Sequence, residues 1–209
     1  GPIAPKVAAE ECVVALVGPA YSGASRVSLP IYESAGLPII TPSATNPTLW
    51  DFGKTVFHRA VLTDDYQGPA LARLVTSKVK NARVFLINDA SDYSVGLAKT
   101  VDITLAGRLV GKDTTPTGTT DFTATIAKIK KAKATAVIYT GYFSQAAVLV
   151  KQLRDSGSKA VFAAGDGVLD DQFVKLARKA AEGALLSAPA IPMETASPKL
   201  AAEMIKAGW

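Results

Sequence analysis

Five short loops concentrate the hydroxyls, aromatic rings and carboxylates of this chain: "GPAYSGAS" (18–25), "PSATNP" (42–47), "NDASDYSVG" (88–96), "GYFSQ" (141–145) and "GDGVLDD" (165–171). Three kinds of chemistry could use them: a nucleophilic serine, a metal held by acidic groups, or an anion held by hydroxyls and free amides. The nucleophile fits poorly. Ser22 lies between Gly18 and Gly23, but position 20 is Ala, so the G-x-S-x-G elbow is missing. The only histidine, His58, is in or beside an apolar segment, and nothing in the spacing brings it to Ser22 as a base. The loop 165–171 is acidic, yet it has neither EF-hand spacing nor a histidine partner. No G-x-G-x-x-G or G-x-x-x-x-G-K-[ST] run occurs, which argues against dinucleotide and P-loop chemistry. No catalytic residue, metal ligand set or cofactor is therefore expected. The anion seat survives, because the first amides of a helix have no intrahelical partner and point outward. Plainer roles remain open: Ser22 as a helix cap, Thr45 as a turn former before Asn46-Pro47, and Asp166 as a turn residue between two glycines.

Each loop follows a short apolar run. "CVVALV" (12–17), "LPIIT" (37–41), "ARVFLI" (82–87), "TAVIYT" (135–140), "KAVFAA" (159–164) and "ALLSA" (184–188) read as buried parallel strands, with "VFHRAV" (56–61) a weaker one. Helical spacing falls between them. Leu71, Leu74 and Val75 share a face, as do Phe122, Ile126 and Ile129; Ala146, Leu149, Val150 and Leu153; and Phe173, Leu176, Ala177 and Ala180. A first helix is expected over 4–11 and another over 23–35, where Pro30 should kink or restart it. Ser144, Asp170 and Ser197 are candidate caps, and Gly157, Gly183 and Gly208 candidate stops. This alternation predicts an α/β fold with mostly parallel sheets, whose ligands bind outside the carboxyl ends of the strands. The five loops lie at those ends.

The totals narrow the function classes. With 48% hydrophobic and 20% charged residues over 209 positions, the chain reads as folded rather than disordered. Net charge is +5, but the densest basic cluster, "KIKKAK" (128–133), ends an amphipathic helix, where cations favour the helix dipole. No basic stripe or RNA motif accompanies it, so nucleic acid is not an expected partner. Cys12 is the only cysteine, which excludes an internal disulfide; its apolar neighbours predict a small buried hydrophobe. No apolar stretch approaches the ~20 residues that cross a bilayer. No basic-then-apolar leader opens the chain, so it reads as cytosolic or as a mature product with its leader removed.

Seven segments together resemble one family: "VALVGPAYSGAS" (14–25), "AGLPIITPSATNPTL" (35–49), "DYQGPALARLV" (65–75), "DYSVGLA" (92–98), "TDFTATIAKIK" (120–130), "VIYTGYFSQAAVLVKQLRDSG" (137–157) and "GDGVLDDQFVKLA" (165–177). In order and spacing they are similar to the periplasmic amino-acid-binding proteins of ABC importers, of the leucine/isoleucine/valine-binding type. The resemblance implies a type I periplasmic-binding-protein fold: two Rossmann-like lobes with parallel sheets that clamp a ligand without catalysis. It implies a partial first lobe over 1–62 and a second lobe with a C-terminal helix over 63–209. The family's first strand and its later return crossings have no counterpart here, so a truncated piece is expected. By the same resemblance, Ser22 with the loop Ser43, Ala44 and Thr45 holds the ligand carboxylate, Tyr142 and Asp166 receive its ammonium, and Tyr93 lines the pocket. The family often has Glu where this chain has Asp166. The implied ligand is a small amino acid or related carboxylate, branched-chain type first. The implied partner is an ABC permease, and the implied location is periplasmic or tethered at the cell surface. Ligand-sensing receptors and regulators share the fold and form the alternative.

Overall fold

A computed structural model describes residues 2–208, so Gly1 and Trp209, the outermost residues of the two units expected above, lie outside the described residues. Helix α1 (Ile3–Ala8) leads into β1 (Leu16–Val17), α2 (Ser22–Ala35), β2 (Ile39–Thr41), a 3-10 turn (Pro47–Phe52) and β3 (Phe57–Arg59). These three strands pair in parallel in the order β1-β2-β3. The chain then passes through residues 60–63 into α3 (Asp64–Lys78), β4 (Val84–Asn88), α4 (Asp92–Thr104), β5 (Leu109–Thr114), α5 (Thr123–Lys131) and β6 (Ala136–Tyr139). It continues with α6 (Phe143–Asp155), β7 (Val161–Ala164), a 3-10 turn (Asp166–Val168), α7 (Asp171–Ala177) and β8 (Leu185–Leu186), then α8 (Met193–Ala196) and α9 (Pro198–Lys206). The second sheet is parallel throughout, in the order β5-β4-β6-β7-β8.

Period-two alternation splits the second sheet between two cores. Val84, Leu86, Ala136, Ile138 and Ala163 face Leu71, Val75, Leu97 and Val101 of α3 and α4. Phe85, Ile87, Val137, Tyr139 and Phe162 face Ile126, Leu149, Val150 and Phe173 of α5, α6 and α7. Helices on both faces bury the central strands completely, which explains why those strands read as unbroken apolar runs. The first sheet has a smaller core, built from Leu29, Tyr32, Ile39, Leu49 and Phe57. Its amides are therefore expected to exchange faster than those of β4, β6 and β7 in a hydrogen-exchange experiment; equal protection in both sheets would contradict this.

Several expectations need correction. The run 12–17 pairs only at Leu16–Val17, on the edge of its sheet. Val14 and Val17 are consequently 81% and 78% exposed, and Cys12 is exposed rather than buried. Strand β5 was not foreseen, because an edge strand is half solvated: "LVGKDT" carries Lys112 and Asp113, and Gly111 gives way to the Phe85 ring. Pro30 does not interrupt α2; it lies on the exposed side, where water can serve the carbonyl it leaves unpaired. Helix α6 begins at Phe143 with Tyr142 at its cap position, not Ser144. Leu176 is 48% exposed: Phe173 and Ala177 face the core with Ala180 packed against it, while Leu176 lies off that face, and α7 itself stops at Ala177. Asp170 does cap α7, accepting from the Gln172 amide.

Candidate functional site

The carboxyl ends of β1 and β2 face those of β6 and β7 across a cleft of about 180 Å³. Ser22 and Ser43 line one wall; Tyr93, Tyr142, Asp166 and Gly167 line the other. Ala20 and Tyr21 complete the first wall, and Phe143, Leu169 and Asp170 the second.

On the first wall, Gly18 turns the chain out of β1 with a φ of 132°, a conformation suited to glycine, and α2 starts immediately. Its cap position is Tyr21, so Ser22 is the first helical residue and not the cap. The first intrahelical bond runs from the Ser25 amide to the Tyr21 carbonyl, leaving the amides of Ser22, Gly23 and Ala24 ahead of the ladder. Helix dipole and amides together favour an anion here. Ser43 donates its hydroxyl to the Ala20 carbonyl at 2.7 Å, tying the two loops of this wall together.

Ala44 and Thr45 are not on the cleft lining. Ala44 packs into the first core, and its amide donates to Thr41 Oγ1 at 3.0 Å. Thr45 is fully buried, with its hydroxyl turned toward the Asp64 carboxylate behind the wall. Arg59, which the sequence reading passed over, holds this loop from β3. Its guanidinium donates to the Thr45 and Asn46 carbonyls at 2.8 and 3.0 Å.

The second wall is organised around Asp166, the first residue of the 3-10 turn after β7. Tyr93 donates its hydroxyl to Asp166 Oδ1 at 2.9 Å, and the Gly167 amide donates to the Tyr93 oxygen at 3.1 Å. Burial raises the Asp166 pKa, against the opposing pull of Gln67 and Tyr93, which favour its charged form. Burial likewise pushes both the Tyr93 and Tyr142 phenols well up, so both stay protonated donors at neutral pH. Tyr142 stacks at a tilt on Tyr93, with centroids 5.2 Å apart, and meets Tyr21 edge-on at 5.7 Å across the cleft. Tyr21 carries no cue in sequence beyond its loop position, and it is 62% exposed. Trp50 stands apart, 54% exposed.

Two contacts fasten the walls on the far side of α2. Arg26 Nε pairs with Asp92 Oδ1 at 2.5 Å, and Asn46 Nδ2 donates to the Asp92 carbonyl at 2.6 Å. The ion pair is about a third exposed, so solvent screens most of its strength. Arg26→Ala is expected to cost below about 1 kcal/mol in thermal unfolding, and about 0.5 M salt should erase the difference. A larger, salt-insensitive loss would mean that the pair does more than fasten the walls. Among the described residues, no group of three or more His, Cys, Asp or Glu side chains could hold a metal ion. No helix among them is long and apolar enough to cross a membrane.

The two walls thus differ in chemistry, hydroxyls and free helix amides on one and a half-buried carboxylate with two tyrosines on the other. Comparison with known proteins gives the family. The periplasmic binding protein family matches residues 2–207. The chain belongs to that family. The leucine-specific-binding protein of Salmonella typhimurium is 32% identical over 195 residues, 92% of this chain and 53% of that protein. The Leu/Ile/Val-binding protein of Escherichia coli K12 is 32% identical over 177 residues, 83% of this chain and 48% of its own length. The chain thus spans about half the length of the curated relatives it matches. Among solved structures, a leucine-binding protein from Thermotoga maritima superposes with a TM-score of 0.83 at 28% identity, covering 88% of this chain and 53% of the other. A branched-chain amino-acid-binding protein from Streptococcus pneumoniae, crystallised with isoleucine, gives 0.80 at 30% identity with the same coverage. The fold is therefore the type I periplasmic-binding-protein fold, and family members are binding proteins rather than enzymes.

Proposed function

We propose that this protein captures a small amino acid, of the branched-chain type, between two lobes and delivers it to an ABC importer outside the cytoplasm. One observation carries the reading: Asp166, half-buried and held by the Tyr93 hydroxyl, stands on the wall opposite the hydroxyls and free amides at the start of α2. A carboxylate partly removed from water without a cation costs free energy, whereas an α-ammonium would offset that cost and offer three donors. Ser22, Ser43 and the α2 amides take the ligand carboxylate. Asp166 and Tyr142 take the ammonium, and Tyr93 holds Asp166 in place. Thr45 contributes from behind, through its backbone and Asp64. Residues 1–62 act as one jaw and 63–209 as the other, and the protein performs no catalysis. The relatives named for leucine and for leucine, isoleucine and valine support the ligand class.

More distant neighbours of the same fold, 16–18% identical, were crystallised with 4-hydroxybenzoate and 3,4-dihydroxybenzoic acid. Such acids lack a cation for Asp166. Calorimetric titration with L-leucine, L-valine and 4-hydroxybenzoate is expected to show binding of the first two only. Binding of the benzoate with neither amino acid would overturn the reading.

A further inference from the structure

Behind the anion seat, four buried oxygens lack partners: both carboxylate oxygens of Asp64, Thr45 Oγ1 and Gln67 Oε1. Asp64 and Thr45 are fully buried and Gln67 is 2% exposed. Asp64 and Gln67 stand three residues apart on the first turn of α3, the spacing that puts side chains on one face. The Asp64 amide donates to the Thr45 carbonyl at 3.0 Å, which joins this turn to the seat loop. Gln67 Nε2 donates to the Ser187 carbonyl at 3.2 Å and also favours the charged form of Asp166. The cluster therefore connects the anion seat, through one helix turn, to the ammonium end of the cleft.

Donor counting shows what the cluster needs. An ionised Asp64 is acceptor-only, and the Thr45 hydroxyl is a single donor facing its two oxygens, while Gln67 Oε1 on the same helix turn is a further unpaired acceptor. Unsatisfied buried acceptors are costly, so one more proton here would relieve the cluster. We propose that Asp64 is a positioning residue of the ligand site, a neutral carboxyl that donates within the Thr45–Gln67 cluster and gives up its proton when an ammonium-bearing ligand occupies the cleft. This rests on the amino-acid reading above.

The surroundings set the direction of the coupling. Burial is the largest influence and pushes the Asp64 carboxyl up to about 7; Asp166 and Asp65 push the same way, against Thr45 and Arg59. Tyr93, from α4, also feels the Asp64 charge. Asn46 Nδ2 and Asp64 Oδ2 both approach Gly96 of α4, with the Asn46 hydrogen bond directed to Asp92. A ligand ammonium beside Asp166 cancels the charge that adds to burial in raising Asp64. Its proton affinity then falls, and binding releases a proton near neutral pH. Affinity must accordingly rise with pH across that range.

The test is a carbon NMR titration of the aspartate carboxyls, with and without L-leucine, in wild type, Asp64→Asn and Thr45→Val. One carboxyl should titrate near neutrality, vanish in Asp64→Asn, shift up in Thr45→Val and shift down when leucine is added. The wild-type affinity for leucine should increase roughly three- to tenfold from pH 6 to pH 8. The Asp64→Asn affinity should stay level over the same range. If no carboxyl titrates above pH 5.5, or if leucine binds without moving the midpoint, the proposal is overturned. If Asp64→Asn fails to fold, the Thr45→Val shift and the leucine shift decide alone. If leucine does not bind, the function reading fails, while a near-neutral midpoint raised by Thr45→Val still supports a protonated Asp64.

Discussion

Asp166→Asn is expected to weaken L-leucine binding by a hundredfold or more while leaving the fold intact. The amide keeps the size of the carboxylate and can still accept from Tyr93, so the 3-10 turn 166–168 retains its shape. The charge that compensates a buried ammonium is gone. Removing one member of a buried ion pair costs about 3–5 kcal/mol, equivalent to two to four decades of affinity. The des-amino analogue, 4-methylpentanoate, should bind the variant no worse than wild type, because no ammonium is lost. Calorimetry on both ligands checks this, and a loss under tenfold for leucine would place the ammonium elsewhere. In wild type, affinity should fall as acid protonates Asp166. Burial raises its pKa, so the decline begins at a higher pH than for an ordinary aspartate.

The second large effect is expected at Gly167. A Cβ there would stand 2.8 Å from the Gly141 carbonyl oxygen, 2.8 Å from Tyr93 Cε1 and 3.2 Å from Tyr142 Cδ1. The first is backbone and cannot turn aside, and the two rings are already held by stacking and by the Asp166 bond. Gly167→Ala must therefore push the 3-10 turn away from the cleft floor. Overpacking of this kind costs about 1–3 kcal/mol. Because the displaced atoms hold Tyr93 and Asp166, much of that cost should appear in leucine affinity, as a loss of tenfold or more. An affinity within twofold of wild type would show that the close approach plays no part in the site.

How much of this was legible follows from where each residue sits. Strands β4, β6 and β7 are covered on both faces, so burial wrote them as continuous apolar runs. Strand β5, on the edge and half solvated, carries no such mark. Loops that follow strands could be read as ligand-facing from topology, and the family resemblance then picked Ser22, Ser43, Tyr93, Tyr142 and Asp166 out of them. All five line the cleft. Ala44 and Thr45 belong to the same loop, but after Ser43 the chain dives into the first core, where Arg59 holds its carbonyls, a difference that loop position cannot express. Arg59, Asp64 and Gln67 were invisible for another reason. In sequence they look like a charged strand end and an ordinary acidic helix start. Their importance arises only because the crossover at 60–63 brings β3 and α3 up behind the seat loop.

The central claim is that one cleft reads both ends of an amino acid, and a crystal structure of the protein grown with L-leucine tests it most directly. The account predicts leucine in the cleft, with its carboxylate within about 3.2 Å of Ser22 Oγ or the α2 amides and its ammonium at the same distance from Asp166. Leucine bound in the reverse orientation, or outside this cleft, would contradict it.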